Sequence, residues 1–219
     1  MNMHNTREVL LFSHASSEQL FSAILPIPER RTLSDLTRAA LELAREEKAN
    51  LSGVDLTEEN LSELDLSGLK LNKAQFHSTN LSGARLMEAR LSKADFKGAS
   101  LAGADLSGAD LRHARLAGVD LQGAKLEGAD LRHADMDGAD LRGADLRSAK
   151  FENATLRDAN LEGADLSGAI FTYCIANGAT FTNAQFEGIE FYMADLKRVV
   201  GMPEEARGHA LRMRCEFED

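Results

Sequence analysis

The chain of 219 residues has no Trp, two Tyr, three Pro and two Cys. Two cysteines, Cys174 and Cys215, are too few for a disulfide framework, so we expect a reducing compartment and a cytoplasmic protein. No run approaches the roughly 18 consecutive apolar residues of a membrane span. The first residues also lack a basic region before an apolar run, so we expect no secretory signal peptide there.

Basic residues are outnumbered by acidic ones. The chain has 25 Lys and Arg against 35 Asp and Glu, which gives a net charge of −10 and a pI near 5.1. This balance excludes a general nucleic-acid coat, which needs phosphate contacts from basic side chains. The hydrophobic share of 43% is too high for a disordered acidic tail. With aromatic residues at only 5%, the core has to be built mainly from Leu and Ala.

A strict repeat of five residues runs from Ala49 to Arg198, which is 150 residues or thirty blocks without insertion or deletion. The block centre, counted from Leu51 to Leu196, is Leu in 21 blocks and Phe in 7. The residue two places earlier is Ala in 22 blocks, and the residue two places later is Gly in 15. The consensus Ala-Asp-Leu-x-Gly therefore indicates a repeat architecture.

A period of five fits neither regular element, because apolar residues recur three and four apart in a helix and two apart in a strand. Frequent Gly and Asp also disfavour a helix. Five residues per side suit a polygonal solenoid whose block centre and the residue two before it point inward. We expect Asp before the centre to bond to nearby backbone in turns, and Gly to relieve crowding where the backbone turns.

The run ADLSGADLRHARLAGVDLQGAKLEGADLRHAD resembles the pentapeptide-repeat proteins, and the resemblance covers 150 of the 219 residues. It implies an all-β solenoid, a right-handed quadrilateral β-helix with four blocks per coil and about 7.5 coils. At about 4.8 Å per coil the rod would be roughly 36 Å long. Residues twenty apart then stack, which predicts one column of Phe151, Phe171 and Phe191 and another of Phe76 and Phe96.

Residues 1–48 do not repeat, and we expect a helical flank there. One helix is predicted over about 17–25 with Ser17 as its cap, and a second over about 33–48, joined by PIPERR at 26–31.

In the second of these helices, Thr32 and Asp35 have the spacing of a capping box. An open solenoid end requires a cover, so this helix either caps the rod or forms a separate partner-binding module. The first blocks replace Ala by Glu59, Leu64 and Leu69, which favours adaptation to a cap.

Residues 199–219 form a C-terminal tail in which we expect a short helix over about 203–214, with Pro in its first turn. The last coils place Tyr173, Tyr192 and Met193 at outward positions, and such residues are enriched in interfaces. In the proteins that this chain resembles, dimerisation often occurs through the C-terminal end. The alternatives are a homodimer through these residues and a monomer with a helical cap.

Among the six His residues, only His113 and His133 are twenty apart, and each follows an arginine, Arg112 or Arg132. Adjacent Arg side chains disfavour a bound cation, and no third ligand has a clear spacing, so we expect no metal site. The pair is either a solvated ladder copied with the repeat or a small patch that binds an anion or a partner.

The cysteines and glycines of the sequence do not form a recognisable catalytic or phosphate-binding motif. Cys174 takes an inward position and is expected to be buried and inert, whereas Cys215 is expected near an exposed tail. Each Gly is placed by the repeat rather than by a phosphate loop, and a Leu and Ala core leaves no internal pocket. We therefore predict no enzyme and no cofactor.

The remaining candidates for function lie on the surface. Some proteins of the resembling family mimic DNA, bind DNA gyrase and confer quinolone resistance. Two acid-rich columns could mimic phosphates here; they hold Asp105, Asp145 and Asp165 in one, and Asp120 and Asp140 in the other. Yet the repeat has 23 acids and 16 bases, a net of −7, whereas a duplex of about 36 Å carries roughly 21 charges.

We therefore predict a non-catalytic scaffold that presents a rigid acidic rod to an unidentified protein partner, without direct nucleic-acid or membrane binding. The expected partner surface comprises the acidic columns above together with Arg112, His113, Arg132 and His133. A DNA mimic that binds gyrase is the alternative, and a secreted effector is a third possibility that no export signal supports.

Overall fold

The computed structural model describes residues 6–12, 19–26 and 33–218. In chain order, the elements are β1 (Thr6–Phe12), β2 (Gln19–Pro26), α1 (Leu33–Glu46), β3 (Ile170–Thr172), β4 (Glu190–Tyr192) and α2 (Glu204–Arg212). Between α1 and α2 the chain winds into coils, and most of its parallel pairing consists of single-residue bridges rather than long strands.

The coils repeat every twenty residues, or four blocks. The residue before each block centre bridges in parallel to the residue twenty places later, beginning with Asn50 and Lys70. Between coils, the amide of Leu51 donates to the carbonyl oxygen of Lys70 at 2.9 Å. Within β3 and β4 the same register places Phe171 opposite Phe191. This ladder is that of a four-sided parallel β-helix.

The interior is built from the block centres and the residues two places before them. From Leu51 to Phe181, each centre exposes at most 1% of its surface. The predicted aromatic columns are present, since Phe76 and Phe96 stack with ring centroids 4.8 Å apart and Phe151 and Phe171 lie 4.7 Å apart. The Leu and Ala core expected from the composition is therefore confirmed, with added aromatic packing near the C-terminal end.

The N-terminal flank contains a β-hairpin where a helix was expected. β2 pairs antiparallel with β1, so that Leu10 lies opposite Ser22. The prediction of a helix over 17–25 is therefore wrong. The apolar spacing in QLFSAILP suits either element, and the pairing partner β1 decides for a strand. Residues 13–18 and 27–32, including the proposed caps Ser17 and Thr32, lie outside the described residues.

The helix expected over 33–48 corresponds to α1, which lies across the N-terminal end of the coils. Its residues Leu36 and Leu41 are buried. Thr37 Oγ1 donates to Glu59 Oε1 at 3.1 Å, so the acid that replaces Ala in an early block contacts the helix. The carbonyl oxygen of Phe12 in β1 accepts a hydrogen bond from the amide of Asp55 at 3.1 Å. α1 therefore packs on the first coils, through buried leucines and through this polar contact.

At the other end, α2 buries Ala206 and Ala210 against the coils. After α2 the chain rejoins the ladder, because Asp195 bridges to Glu216, one residue beyond the regular spacing of twenty. This return buries Cys215, so the expectation that Cys215 lies near an exposed tail is wrong. Neither helix in the described part of the chain is long and apolar enough to cross a membrane.

Candidate interaction surfaces

The Asp and Asn residues before the block centres stabilise the turns that follow them. All sixteen accept a hydrogen bond from the amide two residues later. The Asp105 carboxylate, for example, accepts from the Ser107 amide at 3.1 Å and from the Ser107 hydroxyl at 2.7 Å. The expected turn chemistry is confirmed, and it accounts for these acids without any partner.

Four of these aspartates are also held by an arginine two residues later. In one such Asp-Leu-Arg fork, the Arg142 Nε and Nη2 atoms donate to the two oxygens of Asp140 at 2.9 and 2.6 Å. This bond holds the pKa of the Asp140 carboxyl below its ordinary value. The four forks, which therefore offset part of the predicted acidic surface, pair Asp110 with Arg112, Asp130 with Arg132, Asp140 with Arg142 and Asp145 with Arg147.

The twenty-residue register divides the outward residues among four faces. Each face takes the residue before a centre and the two after it. The centres run from Leu51 to Phe191 on face 1, from Leu56 to Leu196 on face 2, from Leu61 to Phe181 on face 3 and from Leu66 to Phe186 on face 4, at steps of twenty residues.

Charge is distributed unequally among these faces. Face 1 carries seven bases and four acids, a net of +3. Face 2 has five bases and seven acids, face 3 one base and four acids, and face 4 three bases and seven acids, giving nets of −2, −3 and −4. The inward Glu59 completes the −7 of the repeat. The molecule is therefore a rod with one basic and three acidic sides.

The predicted partner residues fall on three of these faces. Asp105, Asp145 and Asp165 lie on face 4, Asp120 and Asp140 on face 3, and the Arg112, His113, Arg132 and His133 group on face 1. Tyr173, Tyr192 and Met193, the dimer residues expected from the sequence, also lie on face 1.

The two histidines of face 1 form a stack. The rings of His113 and His133 are 4.7 Å apart and tilted by 6°. Desolvation, and then the proximity of His133 and Lys93, lowers the pKa of His113 below its ordinary value. Across the described residues, no group of three or more His, Cys, Asp or Glu side chains is arranged to hold a metal ion.

The C-terminal end of face 1 is aromatic and exposed. Tyr173 and Tyr192 meet edge to face at 5.7 Å, and both remain 40% or more exposed, as does Met193. Tyr173 and Met193 continue the column of His113 and His133, since all four stand two residues after a centre at multiples of twenty. Along this column the two histidines are therefore followed, towards the C-terminal end, by Tyr173 and Met193.

The two cysteines offer no nucleophile at the surface. Both Cys174 and Cys215 are free and buried. Burial raises the pKa of each thiol, which keeps the sulfur protonated near neutral pH.

A cleft of about 570 Å³ lies between α2 and residues 184–189, with Phe186, Ile189 and His209 among its lining residues.

The partner residues expected from the sequence do not include four bases at the N-terminal half of face 1, which form no ion pair with any described residue. Lys70 and Arg90 precede centres in consecutive coils, and Lys73 and Lys93 follow the same centres. Their spacing of twenty residues is the signal in the sequence that brings them together on one face.

The chain is similar to one known family and to several solved structures. It matches the family described as Pentapeptide repeats, in eight copies, over residues 49–87, 89–128, 114–153, 124–163, 149–188 and 159–199. No curated protein was found to be similar in sequence.

Several solved structures are similar. A trypsin-treated form of QnrB1, a plasmid-mediated fluoroquinolone resistance protein, is 22% identical with a TM-score of 0.52, covering 75% of this chain and 80% of that one. HetL from Nostoc, involved in heterocyst differentiation regulation, is 25% identical with a TM-score of 0.35, covering 72% and 96%. Rfr23 from Cyanothece is 27% identical with a TM-score of 0.25, covering 76% and 99%.

The likeness to QnrB1 concerns the fold alone. Proteins with these repeats fold as right-handed quadrilateral β-helices, and the ladder of bridges twenty residues apart agrees with that architecture. The repeat sequence, the four-block coil and the family match over residues 49–199 lead to one conclusion: the chain belongs to the pentapeptide-repeat family.

Proposed function

We propose that the protein is a non-catalytic, cytoplasmic scaffold, a rod of about 7.5 coils that binds a protein partner through one of its faces. The observation that supports this is the ladder of backbone hydrogen bonds between coils, which holds the outward residues in fixed rows. Because the rows are ordered before binding, association costs mainly side-chain entropy.

The scaffold is tested by capturing partners from lysates with three variants that keep the turns intact. Face 4 is changed by Asp105→Asn, Asp145→Asn and Asp165→Asn, and face 3 by Asp120→Asn and Asp140→Asn. Face 1 is changed by Arg112→Gln, His113→Gln, Arg132→Gln and His133→Gln. We expect a saturable partner that one variant loses and the others keep. Failure to capture any partner from several lysates, or equal loss in all variants, would contradict the proposal.

A DNA mimic that binds gyrase is the second candidate. The support is the net negative charge of faces 3 and 4, where aspartates such as Asp120 and Asp140 bridge one strand spacing apart. The forks on Asp140 and Asp145 offset part of that charge, which makes mimicry the weaker candidate.

A supercoiling assay separates this candidate from the scaffold. If the mimic is correct, purified protein inhibits gyrase supercoiling and the face 4 asparagine variant inhibits less. The absence of inhibition at high micromolar protein concentrations would reject gyrase as the partner while leaving the scaffold intact.

We also propose a homodimer formed through Tyr173, Tyr192 and Met193, which are large and exposed. The double variant Tyr192→Glu, Met193→Glu is expected to reduce the mass in light scattering from dimer to monomer. Met87→Glu, at an outward position on face 4, is the control and should leave the mass unchanged. A wild-type monomer, or an unchanged mass in the double variant, would reject this interface.

A further inference from the structure

Four exposed cations form a grid on the N-terminal half of face 1. Lys70 and Arg90 bridge each other directly, so their backbones are one strand spacing apart. Lys73 and Lys93 stand beside them, and their amides donate to the next coil at 2.9 Å each. The ladder therefore holds the backbones of all four residues in a fixed arrangement.

None of these four side chains forms an ion pair within the part of the chain that the structure describes. The arginines farther along the same face differ, because Arg112 and Arg132 are held by Asp110 and Asp130. The net positive charge of face 1 is therefore concentrated in the grid. Like charges in adjacent strands repel one another, so this arrangement does not serve the fold itself.

Lys70 of the grid also lines a cleft at the end of α1. The helix ends in a Schellman-type turn, with Lys48 at a φ of 54° and the Ala49 amide donating to the Ala44 carbonyl oxygen at 2.8 Å. The cleft, of about 360 Å³, is lined by Arg45, Lys48 and Lys70. Arg45 Nη1 lies 3.7 Å from Asp65 Oδ2, and among the described residues no other acid forms an ion pair with these three cations.

We propose that Lys48, Lys70, Lys73, Arg90 and Lys93, here called the basic patch, bind an acidic segment of a protein partner. A carboxylate of the segment enters the cleft between Lys48 and Lys70, and further carboxylates lie along the grid. The proposal rests on the scaffold function above and specifies its face and the chemistry of its partner.

The surroundings of the basic patch favour a short acidic segment over a nucleic acid. Glu88 stands at the corner between faces 4 and 1, and Asp95 lies on face 2 on the other side. The remaining three faces are negative, and the chain has a net charge of −10. A long polyanion would extend past the patch towards these acids, whereas a peptide can remain within it.

The test measures binding of a fluorescent oligo-glutamate peptide by anisotropy at about 50 mM salt, where screening is weak. The patch variant is Lys70→Glu, Lys73→Glu, Arg90→Glu, Lys93→Glu. The control variant makes the same charge change at four exposed bases on faces 2 and 4: Arg85→Glu, Lys97→Glu, Lys125→Glu and Arg198→Glu. A third variant with Gln at the four grid positions avoids new like-charge contacts, and thermal melting checks that each variant is folded.

We expect wild type and control to bind the peptide, with affinity falling as salt rises, and both patch variants to bind at least about tenfold more weakly. Undetectable binding by wild type, or equal weakening in patch and control variants, would overturn the proposal. Tighter binding of a DNA duplex of equal charge would overturn the choice of a protein segment. Salt-dependent self-association that the patch variants lose would identify a second copy of the chain as the occupant instead.

The result can be separated from that of the scaffold. The lysate capture also includes the patch variant, because none of the three face variants changes the basic patch. If it gives a partner that the patch variant keeps and a face variant loses, the scaffold stands and the basic patch is rejected as its partner site. If the peptide binds as expected but no lysate gives a partner, the patch retains its affinity for acidic segments and the scaffold function falls.

Discussion

The residue two places after each block centre has a positive φ in all thirty blocks, whether or not it is glycine. The turn is closed by the next amide, as when Val54 donates to the Leu51 carbonyl oxygen at 3.0 Å. A left-handed third residue is typical of a type II turn, and glycine adopts it without steric cost. Glycine is therefore favoured at this position because the turn needs a positive φ. The sequence alone predicts only that glycine relieves crowding at the turn.

Gly143 allows a test of this requirement. Its φ is 64°, and an added Cβ would meet nothing within 4 Å, so Gly143→Ala introduces backbone strain without a clash. We expect the free energy of unfolding to fall by about 1 kcal/mol. Gly208→Ala, within α2, should raise it by about 0.5–1 kcal/mol because alanine is the better helix former. Urea unfolding measures both, and effects of the same sign would contradict this account.

Asp105 tests the role of the acids in the turns. Asp105→Ala removes the acceptor of the Ser107 amide and hydroxyl, and should lower the free energy of unfolding by about 1 kcal/mol. Asp105→Asn keeps the acceptor and should change it by less than about 0.5 kcal/mol. Chemical denaturation compares the two variants. Equal losses would mean that the charge, and not the turn, is what stabilises the coil.

At the scale of elements, α1 and β2 show where the local apolar pattern predicts secondary structure correctly and where it does not. The apolar stripe of LTRAALELA predicts a helix, and α1 occupies that region because its stripe faces the open end of the coils. The QLFSAILP segment has an equally apolar sequence, but a short apolar run does not distinguish helix from strand. Its conformation depends on pairing with β1, a partner segment that the apolar pattern of QLFSAILP does not itself contain.

The contribution of α1 is measured by Leu41→Ala. Leu41 is fully buried, and its truncation should lower the free energy of unfolding by about 2–4 kcal/mol. Glu42→Ala, at the exposed neighbouring position, is the control and should stay within about 0.5 kcal/mol. Hydrogen exchange in the variant should rise first in the coils next to the helix. A uniform rise along the whole rod would argue against local capping.

At the scale of the whole molecule, the position of charge matters more than its total. The net of −10 suggests a uniformly acidic rod, yet one face is positive and three are negative. The Asp-Leu-Arg forks further offset acids that the sequence presents as free. Both facts weaken DNA mimicry and direct attention to face 1.

The forks also predict how stability depends on pH. Their arginine bonds hold the pKa values of Asp140 and Asp145 below the ordinary value. A carboxyl with a lowered folded-state pKa contributes stability above its unfolded pKa, near 3.9, and loses it as pH falls through the folded-state pKa. Stability should therefore fall from about pH 4 downward.

Denaturant unfolding across this pH range measures the effect in wild type and in Arg142→Gln, Arg147→Gln. The variant should be less stable at neutral pH, and the difference should shrink below about pH 4 as the carboxyls become protonated. Lys97→Gln, Arg198→Gln removes two exposed bases of face 2 that lie outside the forks, and is the control. A difference from wild type that stays constant with pH would contradict the role of the forks.

The sequence by itself determined the repeating part of the molecule. The five-residue period sets which residues point inward, and the twenty-residue coil sets which ones stack. Asp or Asn before sixteen of the thirty centres stabilises the turns that follow. Each of these relations involves neighbours in one block or in adjacent coils. Only the tertiary structure decided the strand identity of β2, the return of residues near Glu216 to the ladder, and the burial of Cys215. These depend on partners outside the repeat, whose positions no period specifies. The division of charge among the faces follows from the repeat, but the pairing that leaves Lys70 and Arg90 without an acid partner in the described chain depends on side-chain geometry.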